Sequence, residues 1–361
     1  MKTNRKSVRR LLARAGVIVL AGSLGWAGNL EPPGPPAPTM KTLDQLEPRI
    51  AVQSLPGDRG SVHVIDQPGS YYLAGDVLGG PGLVGISITA DNVVLDLNGF
   101  TLLGNDGDSG INLWGNNNVV RNGTLRGWPV ASIWGANCAG CTVEDVVSED
   151  SGSRTREDAI SLAQNARVSR VTVRNNPQGT GIRVLGGSLI ESCVVSGAWD
   201  GYVLYDGGSH ITGCTARGNN GAGIFSEGAN LVERCVSEFN GFDGVQANTS
   251  TTIRGNVLVA NAAGVYVFGS DNRIEDNLCV NNGEGIVLEV DATANVVQHN
   301  QLVGGGNGVR ASGTGNLVFA NMALDCATDY DIGPGNTVGQ IVDFTAGGII
   351  DACGPWTDFR Y

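Results

Sequence analysis

The sequence predicts an all-β chain folded as a parallel β-helix solenoid, and three observations lead there. A glycine followed by a short apolar strand recurs at Gly181, Gly201, Gly223, Gly244, Gly264, Gly285 and Gly308, at steps of 20, 22, 21, 20, 21 and 23 residues. A second column keeps the same phase: Cys193, Cys214, Cys235, Asn256, Asn277, Asn300 and Asn321 step by 21, 21, 21, 21, 23 and 21. Each period also holds three short strand patterns and no helical stretch. Repeats of this length bury their apolar faces only against their neighbours, so they stack.

Residues 1–27 read as an export signal. Lys2, Arg5, Lys6, Arg9, Arg10 and Arg14 precede an apolar stretch from Ala15 to Leu24, and Gly25-Trp26-Ala27 supplies small residues for cleavage. Arg9-Arg10-Leu11-Leu12 suits a twin-arginine signal, and an ordinary secretory signal reads equally well. No other segment approaches the ~20 apolar residues of a membrane span. The reading is an exported bacterial protein: periplasmic, on the cell surface or extracellular. The chain carries a net charge of −12, which becomes −18 without the six cations of the leader, a stretch with no acid. Of three lysines only Lys41 lies beyond the leader. So acidic a product does not suit binding to nucleic acid phosphates, and lysine-based covalent chemistry has almost no residue to use.

Residues 28–42, with Glu31-Pro32-Pro33-Gly34-Pro35-Pro36-Ala37-Pro38, form a proline-rich linker that is extended and exposed. Residues 43–84 are expected as an N-terminal cap, 85–328 as the β-helix of about ten coils, and 329–361 as a C-terminal cap, since open sheet ends need cover. The coil from Gly264 serves as template. Val265 and Val267 point inward, alternating with Tyr266 and Phe268; Arg273-Ile274-Glu275-Asp276 is a second strand; Asn277 bends the chain into Leu278-Cys279-Val280. Inward residues of the first strand include Ile86 and Ile88, Ile111 and Leu113, Ile160 and Leu162, Ile182 and Val184, Ile286 and Leu288. The Cys/Asn column, continued upstream by Val171 and Val146, is read as a structural ladder in which each asparagine bonds to its counterpart one coil away.

Eight cysteines all follow the leader. Within the Cys193, Cys214, Cys235 column either one adjacent pair is bridged or all three are reduced and buried; the reduced stack is preferred. Cys138-Ala139-Gly140-Cys141 reads as a local bridge or two packed thiols rather than a redox site, and Cys326 with Cys353 is a candidate staple.

Several stretches resemble the right-handed parallel β-helix proteins, the pectin-lyase-like superfamily that includes NosD-like repeats. They are Leu43-Asp44-Gln45-Leu46-Glu47-Pro48-Arg49, Gln67-Pro68-Gly69-Ser70-Tyr71-Tyr72-Leu73, Asn92-Val93-Val94-Leu95-Asp96-Leu97-Asn98-Gly99-Phe100, Val120-Arg121-Asn122-Gly123-Thr124 and Pro355-Trp356-Thr357-Asp358-Phe359. The chain is similar to exported bacterial β-helix proteins of unassigned activity. The resemblance implies the right-handed fold and, through its characterised members (lyases, glycoside hydrolases, esterases and epimerases), a polysaccharide context; one fold hosts many chemistries. Their motifs are missing. There is no Asn-Thr-Asp, Asp-Asp, Gly-His-Gly or Arg-Ile-Lys, only the partial echo Arg273-Ile274-Glu275; there is no Asp-Pro-His-Asp, and no calcium-binding carboxylate cluster stands out. No catalytic set carries over.

The outward positions of the first strand are the candidate glycan-binding face: Trp114, Trp134, Arg183, Tyr205, Phe225, Glu227, Tyr266, Phe268 and Glu289. Exposed rings stack on sugars, while Arg, Glu and Asn bond hydroxyls; equally, aromatics favour strands and cover one another. Asp206, Glu227 and Arg183 are the candidate catalytic residues, with Glu289 and Asp291 a further acidic pair. His63, His210 and His299 fall in different columns and do not suit a metal site. Asn105-Asp106-Gly107-Asp108-Ser109 reads as a solvated turn rather than a calcium loop. The long connections 104–109 and 148–158 are expected to project near Trp114 and Trp134 and to flank the site. The sequence thus reads as a monomer without cofactor that contacts polysaccharide or cell-envelope glycan; the alternatives are a polysaccharide lyase or glycoside hydrolase, and a structural or adhesion surface protein.

Overall fold

A computed structural model describes residues 49–152, 157–344 and 354–360. The export signal, the linker, residues 43–48 of the N-terminal cap, Arg154 and Arg156 of the second long connection, and Cys353 with its pairing to Cys326 lie outside the described residues. Pro48–Tyr361 forms one compact unit.

Every coil contributes one strand to a thirteen-stranded parallel sheet and further strands to a 26-stranded one that wraps the other two faces. The thirteen strands run from Ser61–Ile65 through Val84–Ile88 and so on to Thr328–Ile332. The count is thirteen rungs where the sequence suggested about ten. Eleven strands fall within residues 85–328, and Ser61–Ile65 and Thr328–Ile332 add a rung at each end. The extra rungs were hidden because the glycine column does not extend to them.

Register follows the inward apolar residues. Ile182 pairs with Tyr202, Tyr202 with Ile224, Ile224 with Val245 and Val245 with Val265. All five are fully buried, and the Tyr202 hydroxyl donates to Thr215 O (3.0 Å). The glycine column has a steric cause. A Cβ on Gly201, Gly244, Gly264 or Gly285 would stand 2.3–2.7 Å from the carbonyl oxygen of the marker glycine one rung along. Rungs ~4.8 Å apart leave no room for it.

The asparagine file is piled in register. Asn256 donates through its backbone N–H (3.0 Å) and Nδ2 (2.9 Å) to Asn277 Oδ1; Asn277 does the same to Asn300, and Asn300 to Asn321. Two more ladders occupy other corners: Asn219, Asn240, Asn261 and Asn282 in one, Asn272, Asn295, Asn316 and Asn336 in the other. Each Oδ1 takes two donors from its neighbour, so the bends bury polar backbone without leaving it unpaired. Upstream, Cys193, Cys214 and Cys235 are free, buried thiols, the reduced stack; the Cys193 N–H donates to Cys214 Sγ (3.4 Å). Cys138 and Cys141 form the local bridge.

Candidate functional site

The outer face of the thirteen-stranded sheet carries the expected side chains in two columns. The middle column pairs Asn112 with Trp134, Trp134 with Ser161, Ser161 with Arg183, Arg183 with Val203, Val203 with Phe225, Phe225 with Gln246 and Gln246 with Tyr266. The second column lies just past the strand ends. There the Tyr205, Glu227, Phe268 and Glu289 N–H groups donate to Val184, Leu204, Ala247 and Val267 carbonyls of the preceding rung.

Two separate aromatic groups result. Trp114 and Trp134 sit with ring centroids 4.8 Å apart. The buried Ser161 occupies the next rung and ends that group. Beyond it, Arg183 lies 5.8 Å over the Tyr205 ring; Tyr205 meets Phe225 edge-on at 6.2 Å; Phe225 stacks on Phe268 at 6.2 Å, and Phe268 reaches Tyr266 at 6.4 Å. Glu289 is tied to Arg310 (3.3 Å). Asp206 follows Tyr205 in a turn at φ 67, and no hydrogen bond or ion pair joins it to Glu227 among the described residues. The 104–109 connection packs on the buried Trp128, whose ring lies 2.6 Å from where a Gly107 Cβ would stand.

A groove of about 250 Å³ opens at the upstream end of the second aromatic group, lined by Asp158, Arg183, Trp199, Asp200, Tyr205 and Phe225, with Val203 as its floor. Arg183 Nη2 donates to Asp158 Oδ1 (2.8 Å), so the candidate arginine is held by a carboxylate rather than left free as a base. Burial pushes the Asp158 carboxyl up, against the opposing pull of Arg183 and Thr180. Burial likewise raises Asp200, whose Oδ1 accepts the Ala222 N–H (2.8 Å). Asp158 closes the 148–158 connection that was expected to flank the site, whereas Trp199 and Asp200 escaped the sequence reading, which followed positions after each glycine. Their signal lay on the other side: Trp199-Asp200 immediately precedes Gly201.

The family model for the right-handed β-helix region matches residues 109–258. The chain is a right-handed parallel β-helix. A second family model, that of the periplasmic copper-binding protein NosD, matches residues 226–325 of the β-helix. Among solved structures, the A-module of Azotobacter vinelandii mannuronan C-5 epimerase AlgE6 is 18% identical, covering 75% of this chain and 90% of that one with a TM-score of 0.60. A double mutant of the tailspike protein of E. coli bacteriophage HK620 is 12% identical, covering 82% and 65% with a TM-score of 0.56. At these identities the likeness is one of fold. No curated protein matches the chain.

Copper does not fit the residues present. Between 226 and 325 the soft ligands are Cys235, Cys279, His299 and Met322. Both cysteines are buried, and His299 packs against the Phe319 ring at 6.4 Å. No group of three His, Cys, Asp or Glu placed to share a metal occurs among the described residues. Nor is any helix of the described residues long and apolar enough to cross a membrane.

Proposed function

We propose that this β-helix is an exported protein that contacts polysaccharide or cell-envelope glycan along the outer face of its thirteen-stranded sheet. The observation that carries the reading is the groove where Arg183, Trp199, Tyr205 and Phe225 line one wall-and-floor arrangement with Asp158 and Asp200. Rings offer faces to sugar C–H surfaces, and the charged groups bond hydroxyls. The test is a glycan array on the mature protein, followed by variants. Tyr205→Ala with Phe225→Ala is expected to lower affinity by at least about tenfold, the loss of one or two stacking contacts, while circular dichroism stays unchanged. Binding that survives this pair removes the groove from the reading. Survival after Trp114→Ala with Trp134→Ala would remove the tryptophan pair from it.

One observation favours turnover as a second reading. Asp158 and Asp200 line the same groove two rungs apart, roughly 9.6 Å along the sheet, and burial raises both. That spacing lies at the upper end of what inverting glycosidases use, and a raised carboxyl suits a general acid. Product release that vanishes in Asp200→Asn, with binding retained, would establish hydrolysis; binding without products establishes a binding module.

A further inference from the structure

The edge of the binding face repeats every second rung. Trp199-Asp200 and Phe242-Asp243 each stand just before a marker glycine, and the rung between them holds only Gly221-Ala222. They lie in one file: the Gly221 N–H donates to Trp199 O (2.6 Å), and the Phe242 N–H to Gly221 O (3.0 Å). The small rung makes room. A Cβ on Gly221 would meet Asp200 Oδ1 at 2.3 Å and Trp199 Nε1 at 3.2 Å, so the upstream pair leans over it. Both rings are open to solvent, Trp199 48% and Phe242 51% exposed.

The same row carries two more acids, Asp158 and Glu284, each neutralised by an arginine: Arg183 at 2.8 Å and Arg310 at 3.0 Å. Asp200 and Asp243 form no ion pair among the described residues. Asp200 accepts the Ala222 N–H, and Asp243 accepts the Ala263 N–H (3.0 Å) and Gln246 Nε2 (2.6 Å). So the acids beside exposed rings are the ones without an ion-pair partner of their own, Asp200 feeling Arg183 only across the groove and Asp243 largely buried beside Gln246. An anionic strip of this kind repels uronate chains and favours cationic ones.

We infer that the strip holds a linear, β-linked amino-sugar polymer laid along the stacking direction, one disaccharide to every two rungs, with sugar faces on Trp199 and Phe242 and ammonium groups toward Asp200 and the Asp243–Gln246 pair. Two rungs span roughly 9.6 Å, comparable with the disaccharide repeat of an extended β-linked glycan, in which alternate sugars present the same face. This rests on the glycan reading above and adds substrate class, direction and register to it.

The experiment is calorimetric titration of the mature protein with glucosamine oligomers from the disaccharide upward. Affinity is expected to step up by about tenfold at the length that first covers both rings. Phe242→Ala removes that step and leaves the affinity of the shortest oligomers; Phe239→Ala, an exposed ring outside the row, changes neither. No step, a step that survives Phe242→Ala, or equal binding by N-acetylated or uronate oligomers overturns the inference. If another glycan binds and is lost only on Tyr205→Ala with Phe225→Ala, the glycan reading stands and this register falls; if no glycan binds, both fall.

Discussion

A single asparagine in the ladder does four jobs at once. Asn277 Oδ1 accepts the Asn256 N–H and Nδ2, while its own Nδ2 donates to Ile253 O (2.9 Å) and Asn300 Oδ1 (3.0 Å). It is about 1% exposed, so water replaces none of these bonds. Asn277→Ala leaves buried donors and an acceptor without partners, at ~1–3 kcal/mol for each lost pairing. The expected destabilisation is about 3 kcal/mol by denaturant unfolding, against less than ~0.5 kcal/mol for Gln301→Ala, exposed at the start of strand Gln301–Val303 one rung along. Equal effects would mean the ladder contributes nothing beyond filling space. The Asn256 file was legible because it continues the cysteine column in phase, at steps of 21 residues with a single step of 23. The ladders from Asn219 and Asn272 were not, since Asn-rich turns surround them and the second varies its step between 20 and 23 residues. An asparagine that caps a corner looks, in sequence, like one that merely turns the chain.

Between neighbouring strands, charge acts with opposite sign on the two sheets. On the 26-stranded sheet, Glu233 is gripped by Arg254 (2.7 Å), Arg234 and His210 (3.1 Å) across the strands His210–Thr212, Leu231–Glu233 and Thr252–Arg254. Burial opposes ionisation there, yet the bonds and charges of Arg254 and Arg234 together bring the carboxyl down to about 2. A depressed folded-state value contributes stability above the ordinary value of 4.5 and loses it as pH falls toward 2. On the outer edge of the thirteen-stranded sheet, burial raises Asp158, Asp200 and Asp243. Those groups favour the fold below the ordinary carboxylate range and lose that contribution as pH rises through their elevated values. Glu233→Gln is therefore expected to flatten the acid limb of a stability–pH profile below pH 4.5, while Asp200→Asn raises stability at neutral pH. An acid limb unchanged in Glu233→Gln would refute the first assignment. The same contrast explains why the candidate face was only half legible. Strand alternation located Arg183, Tyr205, Phe225 and Tyr266, but ion pairing and the two-rung alternation of Trp199-Asp200 with Gly221-Ala222 depend on which rungs touch.

For the β-helix as a whole, stability is a sum of rung-on-rung contacts, so the ends decide whether the stack stops or recruits another chain. The downstream end is closed by residues 354–360. Strand Asp358–Arg360 pairs Phe359 with Met322 and also covers Ile341–Asp343. Asp358 terminates the asparagine file: its Oδ1 accepts the Asn321 N–H (2.8 Å) and Nδ2 (3.2 Å). A carboxylate suits the last position because it accepts without needing a further rung to donate to. The Tyr330 hydroxyl, pushed up by burial, lies within hydrogen-bonding distance of Asn321 O (2.8 Å) and Phe359 O (3.0 Å) at the same junction. Deleting residues 354–361 strips the cover from Met322–Leu324 and leaves the Asn321 donors facing open solvent or another chain. The truncated protein is expected to melt several degrees lower, about the effect of 1–3 kcal/mol in a domain of this size, and to self-associate in sedimentation velocity as its exposed edge pairs with other copies. Asp358→Asn keeps the accepting oxygen and the strand, so it should sediment and melt close to the parent. A truncated chain that sediments as the parent does, with an unchanged melting temperature, would show that the stack needs no terminal strand, and that the file of asparagines ends at Asn321 without help.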